Sequence, residues 1–207
     1  MPPRSGQAGY GLYDPTYEHD ACGVAFVARL GAPASHEVIA RALWALEHLE
    51  HRGAEGADAD TGDGAGILVQ LPDTFLREEV PFELPEAGRY GVGVCFLPVD
   101  EFAREHADRL IVETVEAEGQ HVLGWRDVPV DPAHCGTAAA AAAPCIRQLF
   151  VGAADEVEDQ DAFERRLYVI RRVIERVELP GLAIATLSSR TVVYKGMLTA
   201  PQPSTRT

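Results

Sequence analysis

The sequence predicts an α+β fold built in layers, and three observations point there. Apolar runs of strand length and segments of helical period are mixed along the chain. They do not alternate strictly, as they would in a doubly wound parallel sheet. The 207 residues, 46% of them apolar, can bury the core of one large domain, or of two small ones at most. No internal repeat is visible.

Taken in order, Cys22–Leu30 (CGVAFVARL) reads as a buried strand, short and apolar and ended by Gly31 and Pro33. Ser35 is placed to cap a helix running to about His51. Its apolar positions Val38, Ile39, Ala42, Leu43, Leu46 and Leu49 recur at helical spacing. A Gly- and Asp-rich loop spans Arg52–Gly66, followed by strands at Ile67–Leu71 and Tyr90–Leu97. Asp100 can cap a helix to about Glu118, with Phe102, Leu110, Ile111 and Val115 inward and Gly119 as its stop. Val122–Val130 is strand-like, with Trp125 half-buried.

The alanine tract within Asp131–Pro144 reads as a loop insertion, with a short helix as the alternative. Cys145–Val151 returns to strand. Asp161 and Glu164 resemble a capping box for the next helix. Phe163, Leu167, Ile170, Ile174 and Val177 form that helix's inward stripe. Leu182–Leu187 and Thr191–Leu198 close the chain as two strands, joined by Ser188–Arg190 in a tight hairpin.

The net charge of −14 repels nucleic-acid phosphates and anionic membrane surfaces. Arg165, Arg166, Arg171, Arg172 and Arg176 cluster locally, but Glu164 and Glu175 share the segment, as on a solvated, salt-bridged helix face. There is no apolar run of 18 residues and no signal peptide, so the cytoplasm is the expected location. The cysteines, Cys22, Cys95, Cys135 and Cys145, match no metal knuckle and are too scattered for iron–sulfur ligation.

Cys22 stands out by its setting. It begins an apolar run, precedes Gly23, and follows a polar leader, Met1–Ala21, that adds little to any core. If the Ala21–Cys22 bond is cut, Cys22 gains a free α-amine beside its thiol. An α-amine titrates at roughly 7.7–8.0 and a thiol near 8.5. One residue then supplies both nucleophile and proton acceptor near neutral pH. Gly23 lets a substrate approach the backbone closely.

The stretch His51–Gly66 is the second candidate. Its glycines, Gly62, Gly64 and Gly66, have the wrong spacing for a phosphate loop, and no helix follows. A calcium loop counted from Asp58 fails at Asp63 and Val69. What remains is a loop shaped by backbone needs, in which Arg52, next to Gly53, can orient a carbonyl or carboxylate.

Five blocks then carry a resemblance: GLYDPTYEHDACGVAF, LEHLEHRGAEGADADTGDGAGI, YGVGVCFLP, LYVIRRVIE and LSSRTVVYKGML. In order and spacing they resemble the start of glutamate synthase large subunits, from about Gly11 to Gln202. The resemblance implies a four-layer αββα N-terminal-nucleophile hydrolase sandwich with two antiparallel sheets. It implies a leader, residues 1–21, removed ahead of a catalytic Cys22, and a partial glutamine amidotransferase domain over 22–207. It implies hydrolysis of L-glutamine to glutamate and ammonia through a thioester. Gly23, Arg52 and Gly53 would support that site. No cofactor is expected in this chain. FMN and an iron–sulfur cluster are expected in a downstream synthase region that works on 2-oxoglutarate, with a small reductase subunit as a further partner.

The family's domain continues past its YKGM block. It has an arginine in a His-x-Arg-aromatic-Ser-Thr segment that holds the substrate carboxylate, an Asn-Gly oxyanion pair, and an aspartate that grips the α-amino group. These have no counterpart here, and the 207 residues contain no asparagine. The expectation is a chain truncated at its C-terminus, and by itself a poor or inactive glutaminase. A missing oxyanion donor typically costs about 2.7–4 kcal/mol. The alternative reading is a remnant or interaction module that keeps part of the fold without turnover.

Overall fold

The computed structural model describes residues 22–31, 33–49, 61–62, 64–131 and 135–199. Five helices and six strands follow in the order α1 (His36–Glu47), β1 (Ala65–Gln70), α2 (Asp73–Glu79), β2 (Tyr90–Leu97), α3 (Glu101–Ala117), β3 (His121–Asp127), α4 (Thr137–Ala142), β4 (Cys145–Gly152), α5 (Gln160–Glu175), β5 (Ala183–Ser188) and β6 (Thr191–Gly196). The strands form two antiparallel sheets, one of order β3-β4-β2-β5 and one of β1-β6. This is the α+β architecture the sequence predicts.

The four-stranded sheet owes its centre to β2, whose residues are buried along nearly its whole length. One face of it carries Cys95 and Leu97, with Leu149 and Val151 of β4, and packs against α3 and α5. Ala107, Ile111 and Val115 come down from α3, and Phe163, Leu167, Ile170 and Ile174 from α5. Gly91 makes this packing feasible: a Cβ there would lie 2.5 Å from Leu167 Cδ1. The other face carries Tyr90, Val92 and Phe150, covered by Leu76, Val80 and Leu84.

Against that second face stands the β1–β6 sheet. A polar chain crosses between the layers. Arg126 donates to Glu79 at 2.5 Å and to Gln148 Oε1 at 3.0 Å, and Gln148 Nε2 donates to the Tyr194 hydroxyl at 3.0 Å. Gln148 is fully buried, and these partners satisfy both ends of its amide. With α1 resting on β1, the layers run helix pair, sheet, sheet, helix.

Caps agree with the sequence in part. Asp100 accepts from Ala103 N–H at 2.9 Å, and Gly119, at φ +73°, ends α3. The cap of α5 is Asp159, accepting from Ala162 N–H at 2.7 Å, and not the expected Asp161. Glu164 is thereby free to hold the β5–β6 turn. Its Oε1 accepts from Ser189 N–H at 2.5 Å and from Ser189 Oγ at 2.7 Å, and Ser188 Oγ donates at 3.1 Å. The arginines of α5 pair as expected, Arg171 and Arg172 with Glu175 and Arg166 with Glu118.

Four expectations are corrected. Cys22–Leu30 forms no ladder, and Val24 and Phe26 are 84% and 89% exposed. An apolar run encodes burial, but a strand also needs a neighbour to take its backbone hydrogen bonds, and the partner of β1 is β6. Ser188–Arg190 is a tight turn, yet β5 and β6 do not pair: the turn carries the chain from one sheet to the other. Phe102 points outward, as does Val177 just past the end of α5. Helix α2 was not foreseen, because its seven residues bury only Leu76. Of the two readings of the alanine tract, the short helix α4 is the one that forms.

Candidate active site

The segment that carries Cys22 is held at its far end. Arg29 Nη1 lies 3.3 Å from Ser35 Oγ and 3.4 Å from Glu37 Oε2. Glu37 also takes Arg41 of the next helical turn at 2.6 Å. Val27, Ala28 and Arg29 thereby pack on the first turns of α1 around a cavity of about 110 Å³. Seven residues upstream of this anchor, Cys22 is exposed, its sulfur 4.0 Å from the Gly23 carbonyl oxygen. The thiol is not sealed into an interior, so a substrate can reach it.

Cys95 is the opposite case. It is fully buried in the main core, and its thiol is pushed up to about 12 by burial foremost, with the nearby Asp108 charge adding to the effect. It is chemically inert at neutral pH. Cys135 and Cys145 are half-buried, the Cys135 sulfur 3.7 Å from the Asp131 carbonyl.

The two most distinctive blocks of the sequence meet across the small sheet. Ala65, Gly66 and Ile67 of the first face Gly196, Lys195 and Tyr194 of the second in antiparallel register. The glycines serve this close approach. Gly64 adopts φ +137°, which disfavours any side chain. A Cβ on Gly66 would fall 2.7 Å from both the Tyr194 carbonyl oxygen and Lys195 Cβ. Thr61, buried at the entry of the block, accepts from Ala139 N–H at 3.3 Å. Beside the sheet lies an open groove of about 650 Å³, lined by Ile67, Leu68, Phe96, Val193, Lys195 and Met197 among others. Lys195 Nζ stands 6.0 Å from the Phe96 ring centroid. This grouping was not read from the sequence, in which Phe96 and Lys195 lie far apart.

Gly23 adjoins Cys22, half-buried. Arg52 and Gly53 lie outside the described residues, as does the leader. The cavity beside Arg29 and the groove beside Lys195 share no lining residue. Among the described residues no group of three or more His, Cys, Asp or Glu side chains could hold a metal ion. No helix among them is long and apolar enough to cross a membrane.

Comparison with known proteins bears on these features. A family model described as class-II glutamine amidotransferases matches residues 22–205. The NADPH glutamate synthase large chain of Bacillus subtilis is 47% identical over 196 residues, covering 93% of this chain and 13% of that protein. The large chain of Azospirillum brasilense is 40% identical over 201 residues, with the same two coverages. Ferredoxin-dependent glutamate synthase 1 of Arabidopsis thaliana is 42% identical over 198 residues, covering 90% and 12%. The chain spans roughly an eighth of the length of these relatives. With a family match over nearly all of the sequence after residue 21, and the two-sheet α+β layering to go with it, this chain belongs to the class-II glutamine amidotransferases.

Proposed function

We propose that residues 22–207 act as the glutaminase portion of a glutamate synthase, with Cys22 as nucleophile once residues 1–21 are removed. The observation that carries this reading is the position of one thiol. It belongs to the first residue of the family match, and it stands open to solvent.

In the proposed reaction the α-amine of Cys22 takes the thiol proton, and the thiolate attacks the side-chain amide carbon of L-glutamine. The tetrahedral oxyanion collapses, and the C–N bond breaks. The leaving nitrogen takes the proton held by the amine and departs as ammonia. Water then adds to the thioester, releasing glutamate and restoring the thiol. Gly23 leaves the backbone beside the thiol open to the substrate, and Arg52 and Gly53 are assigned to the same site.

The fate of the ammonia belongs to the same proposal. A synthase region elsewhere in the longer protein would use it on 2-oxoglutarate, with FMN and an iron–sulfur cluster supplying the redox chemistry and a reductase subunit as electron donor. Residues 22–207 are not assigned either group. The cytoplasm is the proposed location.

A second reading is a module that keeps the fold without turnover, as an uncut Ala21–Cys22 bond would leave it, because the thiol then has no free α-amine beside it.

One experiment on the purified chain decides between the readings. Intact-mass analysis should find a species beginning at Cys22, and a glutamine-analogue alkylating agent should modify that residue. Modification should vanish in Cys22→Ser. An uncleaved leader with no labelling at Cys22 would favour the non-catalytic module.

A further inference from the structure

The outer faces of α3 and α5 carry opposite charge. On α3, the exposed ionised side chains are Glu101, Glu105, Glu113 and Glu116 against the single Arg109. On α5 and its caps they are Arg165, Arg166, Arg172 and Arg176 against Asp159 and Asp161, with Arg166 paired to Glu118 and Arg172 to Glu175. The inward stripes, Ala107–Ile111–Val115 and Phe163–Leu167–Ile170–Ile174, fix which way each helix faces. Glu105, Arg109, Glu113 and Glu116 therefore point away from the sheet, and so do Arg165, Arg172 and Arg176. The helices lie side by side on one face of the four-stranded sheet. An acidic strip and a basic strip thus run next to each other across the outside of this layer.

Exposed apolar groups sit within the same layer. Phe102 of α3 is 83% exposed and Tyr168 of α5 63%, with Val169 and Val173 beside Tyr168 at 38% and 39%. Charged residues alone would suit a purely solvated face, whereas an exposed phenylalanine and tyrosine on the same face are side chains that interfaces enrich.

From this pairing we infer that the α3–α5 face is a self-association surface, and that its occupant is a second copy of this chain. A two-fold axis running along the groove between the helices lays α3 of each copy over α5 of the other. That brings the three outward glutamates of one protomer, Glu105, Glu113 and Glu116, to the arginines of its partner, twice over. A two-fold axis across the helices would instead put glutamates on glutamates and arginines on arginines, and is disfavoured. The helices, of 17 and 16 residues, are each about 25 Å long. At a spacing of about 10 Å they present enough surface for an interface near the lower end of the stable range, about 1,200 Å² in total. The net charge of −14 per chain opposes association at long range. At physiological ionic strength that repulsion is screened beyond about 8 Å, and the contact pairs are affected less. The expected product is a weak, salt-sensitive dimer. This inference is independent of the chemistry proposed for Cys22.

Sedimentation velocity of the 207-residue chain, over a concentration series up to about 100 µM, tests it. A dimer should form at 0.1 M NaCl and be lost at 1 M, where the Debye length falls to about 3 Å. Arg165→Glu with Arg172→Glu should weaken it about tenfold or more. Glu105→Arg with Glu113→Arg should do the same. All four changes in one chain exchange the signs of the two strips, and should restore the dimer. Restoration separates the inference from simple misfolding, because a chain that failed to fold would not be rescued by two further surface changes. A monomer throughout the series, a dimer indifferent to salt and to both variant pairs, or a four-fold variant that stays monomeric would overturn it.

Discussion

The N-terminal arm, residues 22–49, and the body, from β1 to β6, are built on different terms. The arm has an exposed Cys22, a segment that joins no sheet, and a helix in which no residue is fully buried. Surface ion pairs between half-exposed partners, Arg29–Glu37 and Arg41–Glu37, brace it internally, and α1 rests a half-buried face on β1. The body encloses two apolar clusters on either side of one sheet. Apolar burial scales with area and is worth about 25 cal/mol per Å², whereas exposed ion pairs contribute little. The body therefore holds the fold, and the arm presents the residue with the most accessible chemistry. Reactive groups need solvent and substrate, and those are what a core excludes.

Thiol labelling should give the widest separation between the two regions. At pH 7.5 a thiol pushed up to about 12 is ionised to only ~3 × 10⁻⁵, and Cys95 has no exposed surface. Peptide mapping after iodoacetamide treatment should find Cys22 modified at least about a thousandfold faster than Cys95. Cys95 should catch up only in denaturant. Comparable rates in the native protein would mean that the core opens or that Cys22 is covered.

Truncations come next in size. Leu167→Ala, in the body, should cost about 2–5 kcal/mol in urea unfolding. Ile39→Ala, on the half-buried stripe of α1, should cost no more than about 1 kcal/mol, since less apolar area is lost. Equal costs would erase the distinction between arm and body.

A smaller effect concerns pH. The hydrogen bond from Arg77 foremost, with that from Tyr90 assisting and burial opposing, holds the Asp73 carboxyl below its ordinary 3.8. The folded value is thus depressed. Its stabilisation is complete above about pH 4 and is lost as pH falls through the folded value. Asp73→Asn should therefore flatten the loss of stability below pH 4, by about 1 kcal/mol or less for so accessible a pair. An unchanged acid limb would show that the pair contributes nothing measurable.

The smallest expected change is in the arm. Glu37→Ala removes both of its ion pairs and should cost about 0.5 kcal/mol or less. Hydrogen exchange of α1 amides should quicken about twofold, with no shift in the unfolding of the body.

How much was readable in advance differs between the same two regions. Strand β2 was read to the residue, because YGVGVCFL is apolar throughout and bounded by turn signals. The inward stripe of α5 was read from its period through Ile174, and failed only at Val177, beyond the last turn. In the candidate site, the proposal for Cys22 rests on local neighbours, Ala21 before it and Gly23 after it, and the structure adds that its thiol is exposed. The groove beside Lys195 was not legible, since Phe96 and Lys195 are 99 positions apart in the numbering and meet only when β6 crosses β2.

By itself, then, the sequence determined most of the helices and strands, α2 and the run at Cys22 excepted, and the inward stripe of α5 through Ile174. Those properties follow from periodicity and near neighbours. Pairing was decided by tertiary structure: β6 joins β1 instead of β5, Glu164 clamps the β5–β6 turn instead of capping its own helix, and the apolar run at Cys22 is left without a ladder. A strand's backbone donors and acceptors are the same at every position. Which partner takes them depends on what the rest of the chain brings alongside.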